Sequence, residues 1–291
     1  MNNIVLSVAA PKGGVGKTTT AVNIAVALSL KNKKTLLLDA DPSGFASSAF
    51  GYDEDKIFGN VMDLYKKTKS IHSIIHKTEL RYLEIIPFAK INYDEEVVFN
   101  GLTSDKSIIK EAVNQIKHKY DYVIIDCPPF LYGSTINSLI ATDYLIIPVK
   151  SSKFSLEAVD KMMNFVTEIK KYENPKLQVD GLLLTMYELN TKAAFNTKKE
   201  LFEKYPNLVF KTSVPKNTEV AESTFYNKPI ILFNSESKAS KAYLKLAEEL
   251  IEKHETLHLM GVTGFDNLDF LDEEPVQKIE NENQEIIYFA K

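Results

Sequence analysis

The segment Pro11-Lys12-Gly13-Gly14-Val15-Gly16-Lys17-Thr18-Thr19-Thr20 is the most informative part of this 291-residue chain. Residues 4–10, which precede it, form an apolar run that predicts a buried strand, and residues 21–30 carry apolar side chains at helical spacing. Between a strand and a helix, glycines let backbone N–H groups converge on phosphate oxygens, and the helix start supplies further donors. The stretch therefore predicts a phosphate-binding loop.

The loop predicts a site for ATP with Mg²⁺. Lys17 is placed to reach the β- and γ-phosphates, and the hydroxyl of Thr18 is placed to ligate the metal. Lys12 directly precedes the glycine pair, so it cannot easily curl back onto phosphates held by its own loop. It could reach phosphates held by a second copy of the chain that faces it. The loop residues predicted to bind ATP are Lys12, Gly13, Gly14, Val15, Gly16, Lys17, Thr18 and Thr19.

Aspartates end two of the predicted strands. Asp126 ends the apolar run 122–126, as a Walker B aspartate does when it holds Mg²⁺ through a coordinated water. Asp39 and Asp41 close the run 34–39. A carboxylate on a strand beside the loop can approach the γ-phosphate from the side opposite the leaving group, where the attacking water is oriented. The candidate metal ligands are Thr18, Asp126 and Asp39.

Strands alternate with helices along the chain, which predicts a doubly wound, mostly parallel sheet flanked by helices on both faces. Residues 51–80 are mixed and charged, and their pattern gives no assignment. The predicted strands are 4–10, 34–39, 82–86, 122–126, 143–149 and 179–186, and the predicted helices are 21–30, 105–119, 155–171, 191–204 and 238–254.

The run from Lys12 to Thr19 resembles the deviant Walker A motif of the ParA/MinD ATPases, in which the first lysine crosses the interface of an ATP-sandwiched dimer. The likeness covers residues 3–254 and is nearest to the short chromosomal Soj type. It rests also on residues 181–187, 214–217, 227–232 and 242–247. The resemblance implies a P-loop NTPase of the deviant Walker A type in which hydrolysis depends on Asp41, the second aspartate of the family's Asp-x-Asp-Pro motif. It implies that Pro215 and Asn217 lie against the adenine. The catalytic residues are then Lys12, Lys17 and Asp41.

The same resemblance implies a function. An ATPase of this family dimerises on binding ATP and Mg²⁺, binds DNA non-specifically, and is released when a ParB-like partner stimulates its slow hydrolysis. Chromosome or plasmid partition is therefore expected. Two alternatives stay open, which are positioning of a non-DNA cargo and MinD-like recruitment to a membrane. The nitrogenase iron proteins share the loop but need several cluster-binding cysteines, and this chain has one.

The chain departs from the family where DNA is bound. Two arginines often used for this purpose fall at Asn190 and Glu219, and the second position reverses the charge. Because phosphate neutralisation dominates non-specific affinity, we expect weak DNA binding. The lysines that could replace the arginines are Lys192, Lys198, Lys199, Lys211, Lys216, Lys238 and Lys241.

Charge is unevenly distributed between two predicted regions, an ATPase domain (1–254) and a C-terminal tail (255–291). The tail carries nine acidic and two basic side chains, a net charge of −7. Because the whole chain has a net charge of −4, residues 1–254 carry a net charge of +3. Such an acidic tail predicts a flexible or partner-binding segment and disfavours a membrane helix, whose polar face is basic. One cysteine, no evident signal peptide and no apolar run near the ~18 residues that cross a bilayer predict a cytoplasmic protein without membrane contact.

Overall fold

A computed structural model describes residues 3–152 and 154–260, together with 279–280 and 286–287. Its centre is a seven-stranded sheet with the order β3-β4-β2-β5-β1-β6-β7, in which only the β3–β4 pair is antiparallel. In chain order the strands are β1 (Ile4–Val8), β2 (Thr35–Asp39), β3 (His76–Lys77), β4 (Leu83–Ile86), β5 (Tyr122–Asp126), β6 (Tyr144–Lys150) and β7 (Gln178–Thr185). A separate antiparallel pair joins β8 (Ile279–Glu280) to β9 (Ile286–Ile287).

Helices cover both faces of the sheet, each over its own apolar core. Helices α1, α10 and α11 contribute buried residues to one core, and α3, α5, α6 and α7 contribute to the other. The helices are α1 (Lys17–Leu30), α2 (Phe45–Ser48), α3 (Val61–Tyr65), α4 (Tyr93–Leu102), α5 (Ile108–Ile116), α6 (Ser134–Ala141), α7 (Ser155–Tyr172), α8 (Lys192–Lys204), α9 (Thr218–Phe225), α10 (Ile230–Phe233) and α11 (Lys238–Leu259). The predicted doubly wound architecture is confirmed.

The predicted elements are present, with shifted ends. The helix expected over 105–119 begins only at Ile108, because Asp105 accepts hydrogen bonds from the backbone and hydroxyl of Ser107 and forms a turn there. Helix α11 continues to Leu259, beyond the end expected at residue 254, and the boundary between the ATPase domain and the tail stays a prediction. The tail predicted from residue 255 otherwise falls largely outside the described residues.

A buried cluster of charges joins β7 to α11. Oδ2 of Asp180 lies 3.2 Å from Nε2 of His254, and its Oδ1 lies 3.0 Å from Nζ of Lys253. The side chains of Asp180 and His254 are completely buried. Burial alone would raise the pKa of Asp180, but the charges of His254 and Lys253 bring it down to about 2. The carboxylate therefore fixes the last helix to the sheet.

Asp180→Asn is expected to destabilise the fold by about 3 kcal/mol, because it removes a buried carboxylate that pairs with the ammonium of Lys253 and contacts the ring of His254. Since the folded-state pKa of about 2 lies below the ordinary 3.8, this contribution is present above about pH 4 and is lost as the pH falls toward 2. Urea unfolding at pH 7 measures the effect. The matched control is Asp160→Asn, which breaks the partly exposed pair with Lys204 and is expected to cost less than about 1 kcal/mol. Equal losses for the two variants would contradict the prediction.

Candidate active site

The predicted phosphate-binding loop connects β1 to α1, and its backbone is open at the surface. Gly14 and Gly16 have φ of +68° and +85°, a region that residues with a Cβ rarely adopt. A Cβ built on Gly13 or Gly14 meets no atom within 4 Å. Helix α1 begins at Lys17 with no side-chain cap and no acidic residue in its first turn. Its first N–H groups are therefore available to an anion.

The two lysines of the loop lie in opposite environments. Lys17 is buried, and its Nζ donates a hydrogen bond to the carbonyl oxygen of Lys12 at 3.2 Å. Burial lowers the pKa of Lys17, while the carboxylates of Asp126 and Asp41 oppose that shift. Lys12 is exposed, and within residues 3–152 and 154–260 its ammonium has no ion-pair or hydrogen-bond partner. Lys17 thus faces inward toward its own site, and Lys12 is accessible from outside.

Neighbouring elements hold the loop in place. The hydroxyl of Thr185, at the end of β7, donates to the carbonyl oxygen of Val15 at 2.8 Å. The hydroxyls of Thr20 and Tyr243 lie 3.3 Å apart and join α1 to α11. The loop is therefore supported from the sheet and from the last helix.

Asp126 is the carboxylate whose environment best fits a metal. It is completely buried at the end of β5, and neither oxygen has a hydrogen-bond partner among the described residues. Burial raises the pKa of Asp126 well above its ordinary value, the charge of Asp39 adds to this, and Thr18 and Lys17 oppose it. A buried carboxylate is costly unless a cation compensates it, and Mg²⁺ favours such oxygen ligands. Thr18 and Asp126 are thus the residues that would hold Mg²⁺, which supplies charge neutralisation at the phosphates.

Protein ligands alone do not complete this metal site. Over the described part of the chain, no three His, Cys, Asp or Glu side chains converge in a way that could hold a metal ion. Mg²⁺ usually keeps several waters and takes one or two carboxylates together with substrate phosphates. The arrangement therefore suits a metal that arrives with the nucleotide.

Asp39, adjacent to Asp126 across the β2–β5 pairing, is already engaged. Its Oδ2 accepts hydrogen bonds from the backbone and hydroxyl of Ser47 at 2.9 and 2.7 Å, and its Oδ1 accepts from the backbone N–H of Asp41 at 3.2 Å. Burial raises the pKa of Asp39 to about 7, and the bonds from Ser47 oppose the rise. A role for Asp39 as a metal ligand stays a prediction. The hydrogen bonds that Asp39 accepts position the turn that carries Asp41.

Asp41 has one oxygen fixed and one available. Oδ1 accepts hydrogen bonds from the backbone and hydroxyl of Ser43 at 2.9 and 2.7 Å. Oδ2 accepts none from the residues that the structure describes. Because Asp41 also acts electrostatically on buried Lys17, it lies within the charge environment of the loop. This placement is compatible with orienting a water, which stays a prediction.

Pro215 and Asn217, the residues expected at the adenine, follow a segment that runs beside the end of β7. Val214 accepts a hydrogen bond from the N–H of Tyr187 at 2.9 Å, and Tyr187 and Pro215 form an isolated parallel bridge. Asn217 caps α9, because its Oδ1 accepts from the N–H of Glu219 at 2.8 Å. The fold thus brings both residues to the same end of the sheet as the loop, and contact with adenine stays a prediction.

Glu219 has a structural role that the sequence did not indicate. Its Oε1 accepts a hydrogen bond from Nδ2 of Asn234 at 2.6 Å, and its Oε2 accepts from Nδ2 of Asn217 at 3.2 Å. These bonds join the start of α9 to the residue that follows α10. The reversed charge at this family position is therefore used within the fold.

The seven candidate lysines for DNA are all exposed, but they are not equally available. Lys216 pairs with Glu188 at 3.1 Å, Lys241 with Glu236 at 2.9 Å, and Lys199 lies 3.8 Å from Glu203. Nζ of Lys198 lies 5.7 Å from the ring centre of Phe202. The other three are Lys192, Lys211 and Lys238. Neighbouring carboxylates thus offset part of the positive charge on this set.

Most of the chain is similar in sequence to known proteins. A family model described as an AAA domain matches residues 3–179, which include the loop and the three aspartates. The chain is 34% identical over 249 residues to the chromosome partitioning protein ParA of Myxococcus xanthus, covering 86% of this chain and 88% of that protein. It is 35% identical over 246 residues to the sporulation initiation inhibitor protein Soj of Bacillus subtilis, a match that covers 84% of this chain and 97% of that protein.

A solved structure extends the comparison to ligands. Cobyrinic acid a,c-diamide synthase from Mycobacterium smegmatis, with bound ADP and magnesium, has a TM-score of 0.72 and 25% sequence identity to this chain. The match covers 85% of this chain and 94% of that one. Separately, no helix among the described residues is long and apolar enough to span a membrane.

Proposed function

The chain belongs to the ParA/Soj family of P-loop ATPases, and from that premise we propose that it is a partition ATPase that dimerises around two ATP–Mg²⁺. In this proposal the dimer binds DNA non-specifically and releases it when a ParB-like partner stimulates hydrolysis. The observation that carries the proposal is the contrast between buried Lys17 and exposed Lys12 on one loop. Lys12 has the position and the free charge needed to reach a nucleotide held by a second copy.

Lys12→Ala is expected to leave ATP binding by the monomer nearly unchanged and to abolish the ATP-dependent dimer. The physical reason is that Lys12 contributes its backbone carbonyl, not its ammonium, to its own loop. Light scattering after gel filtration, with and without ATP, measures the dimer, and nucleotide fluorescence measures binding. Lys31→Ala, at the far end of α1, is the matched control and should dimerise normally. If the Lys12 variant formed the ATP-dependent dimer over the same range of protein concentration as the parent, the interface role of Lys12 would be refuted.

DNA binding is expected to require ATP and to be weak. Each phosphate contact contributes about −0.9 to the slope of log affinity against log salt, so a set of lysines partly offset by carboxylates predicts a shallow slope. Lys216→Glu should weaken binding several-fold, and Lys110→Glu, an exposed lysine of α5 outside the candidate set, should not. Gel-shift titrations with ATP at several salt concentrations test this. If the intact dimer does not retain DNA, positioning of another cargo becomes the better proposal.

A further inference from the structure

Helices α9 and α10 end in a patch of exposed apolar side chains. Phe225 and Tyr226 are 87 and 66% exposed, and Leu232 is 38% exposed. The ring of Tyr226 stacks on the ring of Phe233 at a centroid distance of 5.3 Å, and Phe233 is partly buried against the apolar core. The stack brings the ends of the two helices together. Exposed apolar side chains that lie together mark an interaction surface, whereas single ones need no partner.

The first half of α11 carries a row of lysines beside this patch. Lys238, Lys241 and Lys245 are exposed, and their spacing places them on one face of the helix. The hydroxyl of Ser240 donates to the carbonyl oxygen of Asn234 at 2.6 Å, which joins the first turn of α11 to the residue that follows α10. That turn contains no acidic residue. The α9–α11 face is defined here as Phe225, Tyr226, Leu232, Lys238, Lys241 and Lys245.

The second half of α11 has the opposite charge. Glu248, Glu252 and Glu255 are exposed there, and two of them pair with lysines of the segment that ends α1 and precedes β2. Glu248 lies 2.6 Å from Lys31, and Glu255 lies 2.8 Å from Lys33. An acidic group beside α11 is therefore attracted to the first half of the helix, where the positive end of the helix dipole also lies.

Residues 265–274, which fall outside the described residues, have the complementary composition. Their sequence is Phe-Asp-Asn-Leu-Asp-Phe-Leu-Asp-Glu-Glu, with five acidic side chains, four apolar side chains and no basic one. The carboxylates complement the lysines of the α9–α11 face, and the apolar side chains complement its exposed rings.

The chain is long enough to bring this segment to the face of the same molecule. The described helix ends at Leu259, and the distance back along it to Lys241 is about 27 Å at about 1.5 Å per residue. Residues 260–270, when fully extended, span about 36 Å at about 3.3 Å per residue. Phe270 can therefore reach the level of Lys241 without displacing any described element.

Two other occupants fit the face less well. The phosphates of duplex DNA would neutralise the lysines but leave the rings of Phe225 and Tyr226 in water. A second copy docked through the same face would bring like charges together, because an isologous contact pairs each patch with itself. Residues 265–274 match both the charge and the apolar character of the face.

We propose that residues 265–274 dock on the α9–α11 face of their own chain and shield its lysines from DNA. Docking replaces the exposed pair of Lys241 with Glu236, which contributes little, by contacts with the carboxylates of the segment. Because Lys238 and Lys241 belong to the candidate set for DNA, the shielding rests on the proposed function, whereas the docking does not.

The test uses fluorescence in the full chain without nucleotide or DNA. The chain contains no tryptophan, so Tyr226→Trp introduces a single reporter on the face, and acrylamide quenching measures how far the reporter is covered. The test variant adds Asp269→Asn, Asp272→Asn and Glu273→Gln. Because each exposed ion pair contributes about two- to threefold to an equilibrium, these changes should lower the docking constant about tenfold and increase quenching.

Two controls isolate the position of the charges. In place of the three segment changes, Glu280→Gln, Glu282→Gln and Glu285→Gln make the same change in net charge outside the segment, and the reporter should stay as covered as with the parent sequence. Tyr172→Trp places a reporter at the end of α7, on the opposite face of the sheet, where the residue is 65% exposed. Its quenching should be equal in all chains.

Two outcomes overturn the docking. One is equal quenching of the Tyr226→Trp reporter in the test variant and in its charge-matched control. The other is coverage of the reporter that increases with protein concentration, because the occupant would then belong to a second copy. Greater quenching in the test variant alone, at every protein concentration, supports docking within one chain.

Gel-shift titration with ATP tests the shielding separately. The chain with the three segment changes should bind DNA several-fold more tightly than the charge-matched control, because the two differ only in where the charge is removed. If the reporter shows docking and the two chains bind DNA equally, the docking stands and the shielding fails. If neither chain binds DNA, the DNA part of the proposed function fails, and the reporter result still decides the docking.

Discussion

Lys17→Ala is expected to lower the affinity for ATP by at least about a hundredfold, which corresponds to about 3 kcal/mol. Lys17 is the buried cation of the loop, and the carboxylates of Asp126 and Asp41 act on it from within the site. Without its charge, the β- and γ-phosphates would approach two carboxylates with no side-chain cation of the same chain in compensation. The loss should therefore be larger for ATP than for a nucleotide with fewer phosphates.

Titration calorimetry with ATP and ADP in the presence of Mg²⁺ measures this effect. Lys31→Ala again provides the control, because it removes a lysine from the opposite end of the same helix and breaks an ion pair with Glu248. Circular dichroism shows whether each variant is folded. ATP affinity within threefold of the parent, in a folded Lys17 variant, would contradict the assignment of this lysine to the phosphates.

Asp41→Ala is expected to slow ATP hydrolysis by about a hundredfold or more while ATP still binds. Its Oδ1 is fixed by Ser43, and the backbone N–H of Asp41 is fixed by Asp39, so the available Oδ2 is held in a defined position. If Asp41 orients the attacking water as predicted, removing its carboxylate should abolish that orientation and leave the predicted loop contacts to the phosphates intact. Because hydrolysis is then slow, the ATP-bound dimer should accumulate.

Single-turnover phosphate release and light scattering measure the two consequences separately. Asp53→Ala removes an exposed carboxylate from the segment after α2 and should match the parent in both assays. Hydrolysis by Asp41→Ala at the parent rate would show that another group orients the water. A variant that loses ATP binding as well would show that Asp41 supports the loop itself.

The loop, the strand-ending aspartates and the sheet were predictable because each depends on neighbours in the sequence. A glycine-rich turn needs a preceding strand and a following helix, and buried parallel strands read as continuous apolar runs such as 122–126. Most predicted helix and strand ends also lie close to the ends that the structure shows. The beginning of α5 was missed because a side chain, Asp105, forms a turn that periodicity does not register.

Features that depend on contacts distant in sequence could not be predicted. The sequence presents Glu219 as a reversed charge at a DNA-binding position of the family, whereas its hydrogen bond to Asn234 joins two elements of the fold. The engagement of Asp39 by Ser47 and the exposure of α4 are further examples. No local sequence pattern distinguishes a carboxylate that is available to a ligand from one that already accepts hydrogen bonds within the fold.

Gly13 is a residue that the chain does not need for its own packing. Its backbone lies outside the left-handed region that Gly14 and Gly16 occupy, and a methyl group added there meets no atom within 4 Å. An alanine at this position would therefore fit the isolated molecule. Glycine at this position leaves room for a molecule that approaches the loop from outside, as the proposed nucleotide and the proposed second copy would. In the proposed dimer, this small residue would let the ligand and the facing copy approach the loop backbone closely, which the fold of one chain does not require.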